Sequence, residues 1–124
     1  MNDAEVMGLC ELVRTTSLAL HQYLRHGHLE KVYENGLAHR LRKAGLDVRQ
    51  QHALAVRDED GTLLGDYHAD LFIAGVLIVE LKACSALTND HFAQILGYLR
   101  ACQMRHGLLI NFGAPRLAVK KVVL

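Results

Sequence analysis

The 124-residue chain reads as an α/β protein with a mixed β-sheet flanked by helices, and three observations carry that expectation. Apolar residues recur with helical spacing in the first third, alternate with period two through the middle, and then return as one more helical segment followed by two strand-like runs. Val6, Leu9, Cys10, Val13, Leu18, Leu20 and Leu24 form a broad apolar stripe that predicts a helix from about Asp3 to Arg25. Arg25-His-Gly-His28 interrupts it. Leu29 to Ala44 predicts a second helix, stopped by Gly45 at the C′ position, where a left-handed residue closes a helix. Strands are expected around Asp47 to Arg57 and Leu63 to Ile73, joined by the turn at Asp58-Glu-Asp-Gly61, and a hairpin with its turn at Gly75 leads on to Lys82. Thr88, Asn89 or Asp90 can cap a third helix that runs to about Arg105, with Gly107 ending it. Gly107 to Phe112 then reads as a buried strand, and Ala118 to Leu124 as a final edge strand.

Composition sets bounds. A hydrophobic content of 51% is enough for one well-buried domain over residues 1–124, and the chain is too short for two. The net charge of +1 announces no global attraction to nucleic acid. Basic clusters at Arg40, Arg42, Lys43 and Arg49, and at Arg116, Lys120 and Lys121, are read as solubilising. Cys10, Cys84 and Cys102 are odd in number and lack C-x-x-C spacing, which points to small buried residues in a reducing compartment. No apolar run approaches the roughly 20 residues of a membrane span, and the acidic, helix-like start does not read as a signal peptide. A cytoplasmic protein is the expectation.

The chemistry concentrates in Tyr67-His-Ala-Asp-Leu-Phe-Ile-Ala-Gly-Val-Leu-Ile-Val-Glu-Leu-Lys82. Alternation puts Ala69, Leu71, Ile73, Leu77, Val79 and Leu81 on one apolar face, and Asp70, Glu80 and Lys82 on the other. A slip of one residue would separate the two acids, so the hairpin is expected to have an odd-numbered loop around Ala74 and Gly75. A hard cation such as Mg²⁺ prefers carboxylate and carbonyl oxygens and keeps several waters. Asp70, Glu80 and the backbone carbonyl of Leu81 offer three such oxygens. Lys82, on the same face, would orient a water or stabilise the developing charge of a phosphate. The bland alternative is a solvated hairpin face with a weak Glu–Lys pair. Phe72 and Ile78 argue against it, because they share the acidic face and imply that this face is covered.

Beyond the hairpin, Gly27-His-Leu-Glu30-Lys-Val-Tyr33 with Glu34-Asn35, Gln94-x-x-x-Tyr98 and Leu-Leu-Ile-Asn111-Phe-Gly-Ala-Pro115 follow in order. Together with His-Ala-Asp70-Leu and Ile-Val-Glu80-Leu-Lys82-Ala, they resemble the GxxExxY family of the PD-(D/E)XK nuclease superfamily from about His21 onward. The resemblance implies a restriction-endonuclease-like core and a Mg²⁺ (or Mn²⁺) cofactor. It implies metal-binding roles for Asp70 and Glu80, with Lys82 as the superfamily's lysine and Glu30 as the acid on the preceding helix. Gln94 and Tyr98 match the element that RecB-type nucleases place beside the active site, and residues four apart share a helix face.

Departures from the pattern are the Ala69 that stands where the motif has proline, and Gly36 and Gly97 inside predicted helices. The eight histidines lack metal-binding spacing; His68 and His91 are the two with a position from which to line the cleft. Tyr33 is expected to pack on the sheet, and Asn35 and Asn111 to cap or order backbone. Three functions follow: a nuclease acting on nucleic acid, DNA favoured; a non-catalytic nucleic-acid-binding module with a retained metal site; and a homo-oligomer assembled through the final strand and an apolar face of the first helix at Leu9, Val13 and Leu20. A nuclease-like homo-oligomer combines the first and third.

Overall fold

A computed structural model describes all 124 residues. Two helices, α1 (Asp3–Leu24) and α2 (Glu30–Lys43), precede the strands β1 (Val48–Arg57), β2 (Leu63–Ile73) and β3 (Leu77–Lys82). Helix α3 (Asn89–Cys102) and the strands β4 (His106–Asn111) and β5 (Ala118–Val123) complete the chain. The strands form one sheet in the order β1-β2-β3-β4-β5, in which only β3 and β4 run parallel. A parallel pair needs a crossover connection, and α3 is that crossover. It covers one face of the sheet, where Ile95 and Leu99 pack on Leu54, Ala69, Ile78, Leu109 and Val122. Helices α1 and α2 cover the other, with Val13, Leu20, Tyr33, Leu37 and Leu41 against Leu71, Ile73, Leu77, Val79, Leu81 and Phe112.

Tyr33 packs on the sheet as expected. Its ring stacks on Phe112 at 4.7 Å, and its hydroxyl donates to the Arg25 carbonyl at 2.6 Å and accepts from the His28 N–H at 3.2 Å. One buried side chain therefore fixes both the seat of α2 on the sheet and the turn that separates it from α1. Asn111 ties the ends of β3 and β4 together. Its Oδ1 accepts from the N–H groups of Cys84 and Gly113 at 3.1 and 3.0 Å, and its Nδ2 donates to the Cys84 carbonyl at 2.9 Å.

Several expectations need correction. The third helix stops at Cys102, where Gln103 takes the left-handed conformation at φ 56°. Gly107 is a β4 residue whose bareness serves packing: a Cβ there would lie 2.9 Å from Ile95 Cδ1 on the crossover helix. Ala69 packs under α3 with Ile78 and not with Leu71 and Ile73. Leu9, Val13 and Leu20 are buried inside the α1–α2–sheet core, so they offer no face for assembly; α1 turns Met7, Leu12 and Leu18 to solvent instead. Strand β5 is an edge strand, with Lys120 and Lys121 exposed and Val122 buried. Charged edge residues of this kind discourage strand pairing.

Two glycines separate packing from propensity. A Cβ at Gly113 would fall 2.2 Å from the backbone nitrogen of Cys84, where neither partner can yield, whereas a Cβ at Gly97 would meet nothing within 4 Å. Denaturant unfolding should therefore show Gly113→Ala destabilised by about 3 kcal/mol or more, and Gly97→Ala stabilised by up to about 1 kcal/mol through helix propensity. Equal effects at the two sites would contradict the close approach of the loops after β3 and β4.

Candidate functional site

Strands β2 and β3 pair only at Leu71↔Val79, Phe72↔Ile78 and Ile73↔Leu77. The turn that joins them has the odd length expected, and Ala74 and Gly75 both take positive φ, 54° and 69°. One step further along this register Asp70 stands across from Glu80, and there the ladder gives way to side chains. The Asp70 N–H donates to Glu80 Oε1 at 2.9 Å, and the Leu81 N–H donates to Asp70 Oδ2 at 2.8 Å. Each carboxylate satisfies a buried backbone donor at the point where the two strands part.

The parting has a backbone cause on β1. Pairing of β1 with β2 runs through Gln50↔Leu71 and resumes at His52↔Ala69, with no ladder pair at Gln51 and Asp70. Gln51 adopts φ 51°, a left-handed conformation uncommon for a side-chain-bearing residue. Across this point the alternation changes phase: Leu71 and Ile73 face α1 and α2, while Tyr67 and Ala69 face α3. Asp70 sits at the change. Its Oδ1 accepts from Gln51 Nε2 at 3.1 Å, and the same nitrogen donates to Glu34 Oε1 at 2.7 Å.

Glu34 is a residue whose weight the sequence did not reveal. It is only 3% exposed and accepts from Lys31 Nζ at 2.8 Å and from Gln50 and Gln51, both at 2.7 Å. The signal was present as an acid one turn beyond Glu30, on the same helix face. Glu30 itself opens α2 and is exposed. Partial burial raises its pKa, and the charge of Asp70 adds to the rise.

Burial is the main cause of the remaining shifts. Glu80, 3% exposed, is pushed up to about 8, first by desolvation and then by the Asp70 charge. Desolvation also raises Asp70, while its bonds from Leu81 and Gln51 pull it back. Lys82 reaches across from β3 to α3, where Nζ donates to Gln94 Oε1 at 2.8 Å and Gln94 Nε2 donates to the Tyr98 hydroxyl at 3.2 Å. Burial raises Tyr98, with Glu80 and Asp70 adding to it, so the phenol stays protonated and available as a donor. Strand geometry also aims the Leu81 carbonyl. Successive residues alternate, the Lys82 carbonyl accepts from Phe112 on the β4 side, and the Leu81 N–H points towards Asp70. The Leu81 carbonyl therefore faces the gap between β2 and β3.

Hydrogen bonds thus join Asp70 to Glu80 and Leu81, and Lys82 to Gln94 and Tyr98, and Glu30 lies near enough to Asp70 and Lys82 to feel their charges. The two histidines do not join them. His68 is exposed on β2, and His91 Nδ1 accepts from the Thr88 N–H at 3.1 Å and caps α3. Asn35 accepts from Gln50 Nε2 at 2.8 Å, which orders β1.

A five-stranded mixed sheet flanked by three helices is the restriction-endonuclease-like architecture. A profile of the PD-(D/E)XK nuclease superfamily matches residues 8–122, and the chain belongs to that superfamily. The comparison with curated proteins gave no match. Nucleases of this superfamily generally use Mg²⁺ or Mn²⁺. The residues here fit such an ion by their chemistry. Two carboxylates facing each other in a desolvated gap, with a carbonyl beside them, form an all-oxygen donor set of the kind a hard cation takes. No three His, Cys, Asp or Glu side chains gather into one ligand set, so waters would complete the shell.

Raised carboxylate pKa values set the pH dependence of stability. The native state holds Glu80 protonated between its ordinary value of 4.5 and about 8, while the unfolded chain has released that proton. The native state therefore binds more protons in this window, and stability must fall as pH rises through it. In EDTA the melting temperature should decline from pH 5 to pH 8, and Glu80→Gln should flatten the decline. A wild-type profile that rises over this range would contradict the buried, proton-holding pair.

Proposed function

We propose that this protein is a Mg²⁺-dependent (or Mn²⁺-dependent) nuclease of the GxxExxY type that hydrolyses phosphodiester bonds in nucleic acid, DNA favoured. The observation that carries the reading is the placement of two buried carboxylates across the parted strands, Glu80 accepting from the Asp70 N–H and Asp70 from the Leu81 N–H, with Lys82 bonded to Gln94. Asp70, Glu80 and the Leu81 carbonyl would hold the cation, and Glu30 would act on it through water. When bound, the cation supplies Lewis-acid polarisation of the phosphate and acidifies water.

The chain's own groups do the rest. Lys82 brings a positive charge to the phosphate on a strand whose end is pinned by Asn111, and its bond to Gln94 fixes the ammonium before the substrate arrives. A preorganised charge of this kind costs no reorganisation in the transition state. Tyr98 holds Gln94 in turn, so Gln94 and Tyr98 position the lysine. Glu80 must give up its proton for its carboxylate to take a cation, which makes cation affinity rise with pH.

A titration of Mg²⁺ and Mn²⁺ against plasmid, linear duplex, single-stranded DNA and RNA tests the reading. Cleavage should require the cation and be lost in Glu80→Ala. Lys82→Met keeps the apolar stem; it should retain cation binding by calorimetry and lose on the order of 100-fold in turnover. Unchanged turnover in Lys82→Met would remove the lysine from the chemical step, and no cation-dependent cleavage of any substrate would overturn the nuclease reading.

A further inference from the structure

We infer that the cleft takes single-stranded nucleic acid and holds one unpaired base against Tyr67, next to the phosphate at Lys82. This rests on the nuclease reading and adds the strandedness of its substrate. Tyr67 lies three residues before Asp70 and faces α3 because the strand changes phase at Asp70. Its ring stacks on Tyr98 at 4.9 Å with 27° between the planes, yet 43% of the residue remains exposed. Tyr98 is bonded to Gln94 and Gln94 to Lys82, so one stack and two hydrogen bonds join an open aromatic surface to the ammonium.

The helix beside this surface is bare. Ala93 and Gly97, one turn apart, carry at most a methyl, and the space over Gly97 is empty to 4 Å. With Tyr67, Gln94 and Tyr98 they line an open groove of about 400 Å³. Gln94 lines that groove and accepts from Lys82 Nζ at 2.8 Å, so a phosphate at Lys82 adjoins it. A base inside a duplex is stacked on its neighbours and cannot offer a face to Tyr67, so the occupant must be unpaired or be extruded at a cost.

Charge points the same way. The chain carries 14 Lys and Arg against 13 Asp and Glu, and Lys82 sits among acids that lower the potential around it. No strong overall positive field is present to hold a duplex. Base–aromatic stacking supplies affinity that tolerates any sequence and needs no basic surface.

Fluorescence anisotropy in EDTA, where no bond is cut, tests the inference on the full chain. The probes are a labelled oligothymidine carrying one internal 2-aminopurine, and the same strand annealed to its complement. The single strand should bind about 10-fold or more tightly than the duplex, with the 2-aminopurine quenched. Tyr67→Ala should weaken single-strand binding about 10-fold and abolish the quenching, while Tyr67→Phe should behave as wild type. Gly97→Leu, which fills the groove with a good helix former, should reproduce the loss and decides the matter if Tyr67→Ala does not fold. Wild-type single-strand binding in Tyr67→Ala, or in Gly97→Leu, would overturn the base platform and leave the nuclease reading standing. Failure of both probes to bind, with no cation-dependent cleavage, would overturn the two together.

Discussion

Two carboxylates meeting across a pair of strands that has stopped pairing is the constraint from which the rest of the structure follows. Where β2 and β3 part, buried N–H groups of Asp70 and Leu81 lose strand partners, and an unpaired buried donor costs about 1–3 kcal/mol. Glu80 and Asp70 supply the missing acceptors from side chains. The same bonds that complete the backbone therefore hold two acids in a desolvated gap, where burial pushes both towards their protonated forms and the Asp70 charge adds to the rise at Glu80.

The surroundings keep the gap open. Gln51 accepts a left-handed backbone that turns β1 out of phase, and its amide links Asp70 to Glu34 on α2. Asn111 locks the far end of β3, so Lys82 leaves a fixed strand. The crossover that makes β3 and β4 parallel also brings α3 over the acids, delivering Gln94 and Tyr98 to the lysine. Architecture and site share a cause: the parallel pair requires a helix on that face.

Much of this was legible in the sequence. Apolar spacing marked all three helices and the strands, Gly45 marked the end of α2, and the even separation of Asp70 and Glu80 implied the odd hairpin turn that sets them across from each other. Phe72 and Ile78 correctly implied a covered acidic face. The change of phase at Gln51 was not legible, because a glutamine gives no sign of positive φ; Ala69 was for that reason assigned to the wrong face. Gly107 has the look of a helix stop, but its bareness answers to Ile95 across the crossover, a contact between distant segments. Glu34 and Tyr67 stand in the motifs without a role, since an acid on a helix and a tyrosine on a strand are ordinary until the partners Gln51 and Tyr98 are in place. Leu9, Val13 and Leu20 looked available for assembly only because periodicity cannot say which side of a helix the sheet lies on.

In the function proposed, Asp70 and Glu80 would form the cation site with the Leu81 carbonyl. The most direct measurement is anomalous diffraction from crystals of the protein soaked in Mn²⁺ at pH 8. A single strong peak is expected between β2 and β3, bonded to one oxygen each of Asp70, Glu80 and Leu81, with waters filling the shell. It should vanish in Glu80→Ala crystals. A map with no peak in that gap, or with Mn²⁺ bound only at other residues while Glu80 keeps its bond from the Asp70 N–H and Asp70 its bond from the Leu81 N–H, would contradict the proposed site.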